Sequence, residues 1–308
     1  TSPKLRALHD ALSAGGVPAS RQIHRLRSLL DWLDSDRNAI FALPAFCLLW
    51  RPQFSLAVER WRRVNGPQLG TWLRALAEFE ALASLSGYAF EHPAATYPEL
   101  LAEPGMLDAQ AIAHPLIAEA KAVANDVAIG ADRPLLIISG SNMSGKSTLL
   151  RAVGLNTVLA WAGAPVRAGR LRVSEFTVAA SLRANDSLQE GRSRFYAEIQ
   201  RLRQIVDLTR EPRPVLFLID EVLSGTNSHD RRLGAEAILK GLLARGARGL
   251  TTTHDLALTR MLDQSGALNY HLQDELADGV LHFDYTLRPG VVERSNALDL
   301  MRSIGLDV

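Results

Sequence analysis

Ser139-Gly-Ser-Asn-Met-Ser-Gly-Lys-Ser-Thr148 is the stretch whose reading decides the fold. It fits G-x-x-x-x-G-K-[ST], with Gly140, Gly145, Lys146 and Ser147 at the fixed positions. Its flanks agree. Pro134-Leu-Leu-Ile-Ile-Ser139 reads as a short buried strand, and Thr148-Leu-Leu-Arg-Ala-Val153 as the start of a helix. A strand, a glycine-rich turn and a helix start form a phosphate cradle. The glycines let backbone N–H groups approach the phosphates, and the helix N-terminus adds partial positive charge. Lys146 is placed to reach β- and γ-phosphates, and Ser147 to hold Mg²⁺. The competing reading, a chance match in a glycine-bearing loop, leaves the flanking strand and helix unexplained.

Downstream, Val215-Leu-Phe-Leu-Ile-Asp-Glu221 is an apolar strand ending in two carboxylates. Asp220 at the strand end is the expected Mg²⁺ partner. Glu221, one residue on, points elsewhere and is the candidate to polarise an attacking water. Such pairs are common by chance; this one gains weight from following the phosphate loop. Between the two signals, Leu171 to Ala180 is strand-like, and Asn185 to Phe195 leads into a helix predicted over Phe195 to Leu208. Ser193 precedes that helix, with Glu198 in its first turns; an N-cap serine and a phosphate-binding helix start fit the spacing equally well. Gly249 to Thr253 predicts another strand, ending at His254-Asp255. His254 there is a candidate γ-phosphate sensor or a structural hydrogen-bonder. Gly266 to Pro289 alternates as β-hairpins do, with Asp278-Gly279 as the turn, and a last helix is predicted over Ser295 to Ile304.

Upstream, the chain reads as helices to about residue 90. Leu5, Leu8 and Leu12 share one helix face, as do Ile23, Leu26, Leu30 and Leu33, with Gly15-Gly16 and Pro18 between the two helices. A third helix is expected around Leu56 to Val64 and a fourth around Leu69 to Leu85, broken at Gly66-Pro67. Arg21, Arg25 and Arg27, and then Arg60, Arg62 and Arg63, form either a solvated face or a contact to a DNA backbone or partner. Pro93, Pro98 and Pro104-Gly105 mark loops, so the domains are expected to be 1–90 and 91–308. His114-Pro115 and Asn125-Asp126-Val127 are expected to frame a nucleotide base, or simply to be turns.

With 308 residues and 47% hydrophobic ones, the chain can bury a sizeable core. Its 34 basic and 33 acidic residues nearly cancel, so any nucleic-acid surface must be local. The single cysteine, Cys47, excludes an internal disulfide and fits a reducing, cytoplasmic setting. The longest apolar run, Ala39 to Trp50, is too short to span a bilayer. A sequence beginning at Thr1 is expected to be a piece of something longer.

The order of phosphate loop, helix-capping serine, Asp-Glu strand and strand-end histidine resembles that of an ABC-type ATPase. The local wording is narrower and resembles the MutS family. Gly140-Ser-Asn-Met-Ser-Gly-Lys-Ser-Thr148 is similar to its G-x-N-M-x-G-K-S-T loop, and Gly191-Arg-Ser-Arg-Phe195 to its G-x-S-x-F segment. Asp220 to Asn227 resembles D-E-x-x-x-G-T-[ST], Thr252-Thr-His254 resembles its A-T-H or T-T-H segment, and His114-Pro115 matches an upstream H-P pair. The resemblance covers about residues 90 to 308, and more weakly 50 to 90. It implies an α/β P-loop NTPase, an ABC/MutS-type ATPase core, preceded by an all-α helical, lever-like domain. It implies that Gly140, Ser141, Asn142, Met143, Ser144, Gly145, Lys146, Ser147 and Thr148 bind ATP or ADP, and that Ser147 and Asp220 serve Mg²⁺. Glu221, His254 and Lys146 would be catalytic, and Ser193 would act in trans on nucleotide held by a second subunit of a homodimer. The implied activity is ATP hydrolysis coupled to DNA binding, in repair or recombination. The alternative is a DNA-independent ATP switch regulating a protein or membrane partner; some short family members carry membrane-spanning helices upstream, which would tether the chain. The aromatic that often stacks on adenine falls near Ala122 or Val123, neither of them aromatic. A transporter motor is disfavoured because Glu190-Gly-Arg-Ser193 is not L-S-G-G-Q.

Overall fold

Residues 2–13, 16–37, 40–141, 143–182, 194–223, 226–261, 266–277 and 280–291 are described by a computed structural model. They fall into two units, Thr1–Glu91 and His92–Val308.

The elements of the first unit are helices: α1 (Pro3–Leu12), α2 (Ala19–Asp34), α3 (Ala42–Cys47) and α4 (Trp50–Glu91). Pro3 sits in the first turn of α1 and Pro18 just before α2, where a missing N–H removes no helical bond. The break expected at Gly66-Pro67 is absent, and α4 runs for 42 residues with Pro67 inside it. The reason is packing on both sides of the proline. Trp61 lies one turn or more before it and Trp72 after it. Both are buried against Ala19, with Leu12, Leu26, Leu29 and Leu69 alongside. The Trp61 indole also donates to the Gln22 carbonyl at 2.9 Å. A proline removes one backbone bond and crowds the preceding turn, a local penalty that contacts on both flanks can offset. Glu59 takes Arg62 and Arg63 at 2.7 and 3.0 Å, so part of the basic cluster is neutralised on its own helix. Among the described residues no helix is long and apolar enough to cross a membrane.

The second unit is mixed α/β with two sheets. A four-stranded sheet has the order β1 (Glu99–Leu101), β5 (Arg170–Ser174), β2 (Leu107–Ile112), β3 (Asn125–Ile129). A six-stranded sheet runs β10 (Val280–Pro289), β9 (Ala267–Ala277), β4 (Leu135–Gly140), β8 (Arg248–Thr253), β7 (Val215–Asp220), β6 (Thr177–Ser181). All of its neighbours pair in parallel except β9 and β10, which form the expected antiparallel hairpin. The turn expected at Asp278-Gly279 and the helix predicted over 295–304 lie outside the described residues. The segment read as one strand from Leu171 to Ala180 is two strands in different sheets, since the chain leaves one at Ser174 and enters the other at Thr177. Asn125-Asp126-Val127 is not a turn but opens β3. Its side chains suggest a turn, yet they serve as tethers. Asn125 donates to the Tyr285 carbonyl at 3.0 Å and accepts from the Leu287 N–H at 2.6 Å, while Asp126 accepts from the Ala111 N–H at 2.8 Å.

Every residue of β4 and β7 is buried, as central parallel strands covered on both faces require. Alternate residues divide between two cores. Leu136, Ile138, Leu216 and Leu218 pack with Leu149, Leu150 and Val153 of α5 (Lys146–Ala162) and with Leu107, Val127, Leu171 and Val173 of the smaller sheet. Leu135, Ile137, Phe217 and Ile219 face the other way, against Leu202 and Ile205 of α6 (Arg194–Leu208) and Leu239 and Leu242 of α7 (Ser228–Ala244). A short α8 (Leu256–Met261) follows β8. Because β4, β8 and β7 are adjacent and parallel, their carboxyl ends share one edge. Ser139 lies beside Thr253, and Thr252 beside Asp220. In open parallel sheets this edge is where ligands bind.

Candidate functional site

The glycine-rich loop leaves β4 at Gly140 and enters α5 at Lys146. Two left-handed glycines shape it. A Cβ on Gly140, with φ 145°, would lie 2.5 Å from the Leu272 carbonyl oxygen. Gly145, with φ 98°, caps α5 in a conformation that a side chain disfavours. Within the loop Ser144 donates to the Ser141 carbonyl at 2.9 Å. The Lys146 ammonium is buried and donates to the carbonyls of Gly140 and Ser141 at 2.9 and 2.6 Å, so it spans the mouth of the loop. Met143 is exposed at the loop tip in a left-handed conformation, φ 69°. Ser147 and Thr148 lie in the first turn of α5.

Ser147 ties this loop to the acidic strand. Its hydroxyl donates to Asp220 Oδ2 at 2.7 Å. The other carboxylate oxygen, Oδ1, accepts from the Thr252 hydroxyl at 2.6 Å. The Thr252 oxygen in turn accepts from the Glu221 N–H at 3.0 Å. Glu221 leaves the strand with φ 55°, so its side chain swings away from that of Asp220 and its carboxylate meets His254 Nε2. Asp255, next in the chain, pairs with Arg232 of α7 at 3.2 Å and caps α8 through the Ala257 N–H at 2.9 Å. Glu198 of α6 accepts from the Leu223 N–H at 2.5 Å, fixing the turn that follows Glu221.

Of the residues expected to act together, the fold gathers Gly140, Ser141, Met143, Ser144, Gly145, Lys146, Ser147, Thr148, Asp220, Glu221 and His254 at one sheet edge. Asn142 and Ser193 lie outside the described residues. His114-Pro115 does form a turn, closed by the Leu116 N–H on His114 Nδ1 at 3.2 Å. Burial, reinforced by Arg151 and Arg167, lowers the pKa of His114. Three residues of the site escape sequence reasoning. Thr252 stands out in the sequence only as part of a T-T-H segment. Arg232 carries no motif. Tyr285 sits in a left-handed bulge of β10, φ 55°, with its ring against Gly145: a Cβ there would lie 3.0 Å from Tyr285 Cδ1. The chain distance from the loop hides that contact from any local pattern.

The hydroxyl of Ser147 and the carboxylate of Asp220 are hard oxygen donors of the kind Mg²⁺ prefers, and they are adjacent. The donor chemistry therefore fits this ion, and the remaining positions would fall to water and phosphate.

A family model described as MutS domain V matches residues 136–307, which include the loop, the acidic strand and the histidine. The chain belongs to the MutS family. Among similar proteins, DNA mismatch repair protein MutS 1 of Halobacterium salinarum is 35% identical over 96% of this chain and 35% of its own length. Endonuclease MutS2 of Geobacillus thermodenitrificans is 34% identical over 76% of this chain and 30% of its own. DNA mismatch repair protein MutS of Natronomonas pharaonis is 35% identical over 76% and 27% respectively. The chain thus spans about a third or less of the length of these relatives.

Proposed function

We propose that the second unit is a P-loop ATPase core that binds ATP with Mg²⁺ and hydrolyses it. The observation that carries this reading is the Ser147–Asp220 hydrogen bond, which joins the glycine-rich loop to the acidic strand end in one site. The loop amides and Lys146 would hold the β- and γ-phosphates. Ser147 and Asp220 would hold Mg²⁺, which when bound neutralises phosphate charge. Glu221, turned out of the strand and in contact with His254, would accept a proton from the attacking water, and His254 would lie toward the γ-phosphate. Tyr285, beside Gly145, would offer the base an aromatic ring, in place of one near Ala122 or Val123. Replacing Glu221 by Gln should leave ATP bound while slowing hydrolysis at least ~100-fold. Asp220→Asn should instead weaken Mg²⁺-dependent binding. Unchanged turnover in the Glu221 variant would move the base elsewhere.

The wider reading follows from the family. Two subunits would close around nucleotide, with Ser193 of one facing the γ-phosphate of the other, and the cycle would drive DNA transactions in repair or recombination. The first unit would serve as the lever joining the ATPase core to DNA. One observation favours the alternative of a DNA-independent switch acting on a protein or membrane partner: Arg62 and Arg63, two of the three arginines nominated for DNA, are already engaged by Glu59, which offsets one of their charges. Stimulation of turnover by DNA separates the two.

A further inference from the structure

We propose that Thr252 is a positioning residue that sets the geometry of both acidic groups at once. The proposal rests on the ATP·Mg²⁺ reading above. Thr252 is fully buried on β8, directly beside Asp220 in the parallel ladder. Its one hydroxyl is used twice. It donates to Asp220 Oδ1 at 2.6 Å and accepts the Glu221 N–H at 3.0 Å. Neither bond is a routine feature of a sheet.

The first bond fixes the rotation of a carboxylate. With Oδ1 held by Thr252, Oδ2 is left directed at Ser147, 2.7 Å away. That is the oxygen pair a metal ion would share. Without the hydroxyl, Asp220 could turn about its terminal torsion, which is broad and poorly restrained in carboxylates. The second bond answers a backbone problem. Glu221 turns into the left-handed region at φ 55°, and its N–H finds the Thr252 hydroxyl as partner. An N–H without a partner at this half-buried position would disfavour the turn that swings the Glu221 carboxylate to His254. One hydroxyl therefore orients the metal-side acid through its side chain and the water-side acid through its main chain. A valine fits the same strand position and volume but offers neither bond; a serine offers both.

The test compares Thr252→Val and Thr252→Ser with wild type in two assays on the whole chain. The first is the affinity for a fluorescent ATP analogue with Mg²⁺ and again with EDTA, which reads metal-side geometry without turnover. The second is kcat against KM for ATP. Outer-shell partners of metal ligands typically account for 10- to 100-fold in affinity or activity, so Thr252→Val should shrink the Mg²⁺-dependent gain in affinity about tenfold. It should also lower kcat more than it raises KM. Thr252→Ser should restore both to within about twofold of wild type. A Thr252→Val protein with the wild-type ratio of Mg²⁺ to EDTA affinities overturns the proposal. So does a serine variant as impaired as the valine one. If the valine variant does not fold, as judged by circular dichroism, Thr252→Ala carries the same expectations. A wild-type chain that binds no nucleotide refutes the ATPase reading itself, and this inference with it.

Discussion

Strand β7 and helix α4 both carry apolar anchors and charged groups, and the two elements use them in opposite ways. In β7 every residue is buried, and its one charged residue, Asp220, comes last, where the strand ends and the chain turns. Asp220 there has one partner on each carboxylate oxygen, supplied by α5 and β8. In α4 the buried residues are few, Trp61, Asn65, Trp72 and Ala75 over 42 positions. Its ion pairs lie at the helix surface, some local, as when Glu59 takes Arg62 and Arg63 three and four residues on, and some between helices, as when Arg51 meets Asp36 and Glu78 meets Lys4. Charges buried at a strand end, with partners from neighbouring elements, build a site. Charges paired in the open decorate a surface.

This contrast can be tested by substitution. Phe217, fully buried at the centre of β7, should cost about 3–5 kcal/mol of stability when cut to alanine. Phe46, 79% exposed beside α4, should cost less than about 0.5 kcal/mol. Urea denaturation of the two variants measures both, and comparable losses would erase the distinction. A smaller effect is expected at the basic cluster. If α4 touches DNA phosphates, replacing Arg60, Arg62 and Arg63 together should flatten the salt dependence of DNA binding, with the slope falling by roughly one for each phosphate no longer neutralised. An unchanged slope assigns these arginines to Glu59 and solvent alone. The smallest effect concerns pH. Hydrogen bonds from Arg62 and then Arg63 hold the Glu59 carboxyl at about 2, below its ordinary 4.5. A lowered carboxylate pKa stabilises the folded state above the ordinary value, and the contribution fades as pH falls from 4.5 toward about 2. Wild type should therefore lose slightly more thermal stability than Glu59→Gln across that window. A parallel decline in the two proteins would show that the pair contributes nothing.

The same contrast explains what could be read from the sequence. The strand, loop and helix around Gly140 to Thr148 are legible because composition, spacing and flanks all speak within about twenty residues. Val215 to Glu221 is legible for the same reason. What is not legible depends on partners distant in the chain. Thr252 matters because the sheet register sets it beside Asp220, and no local pattern gives register between parallel strands. Tyr285 reaches Gly145 from a bulge far along the chain. Pro67 signals a break by its own chemistry, and the helix persists because Trp61 and Trp72 are both buried. Leu171 to Ala180 has one strand-like composition and serves two sheets. Asn125 looks like a turn residue because its short amide bonds readily to backbone; here that amide bonds to β10 instead.

The central claim is that Lys146 and the acidic strand end form one nucleotide site. Titration calorimetry of ATP with Mg²⁺ into wild type and Lys146→Ala tests it most directly. Removing the ammonium from the phosphates should cost on the order of 2 kcal/mol or more, roughly a thirtyfold fall in affinity. An affinity for ATP within about twofold of wild type would contradict the account.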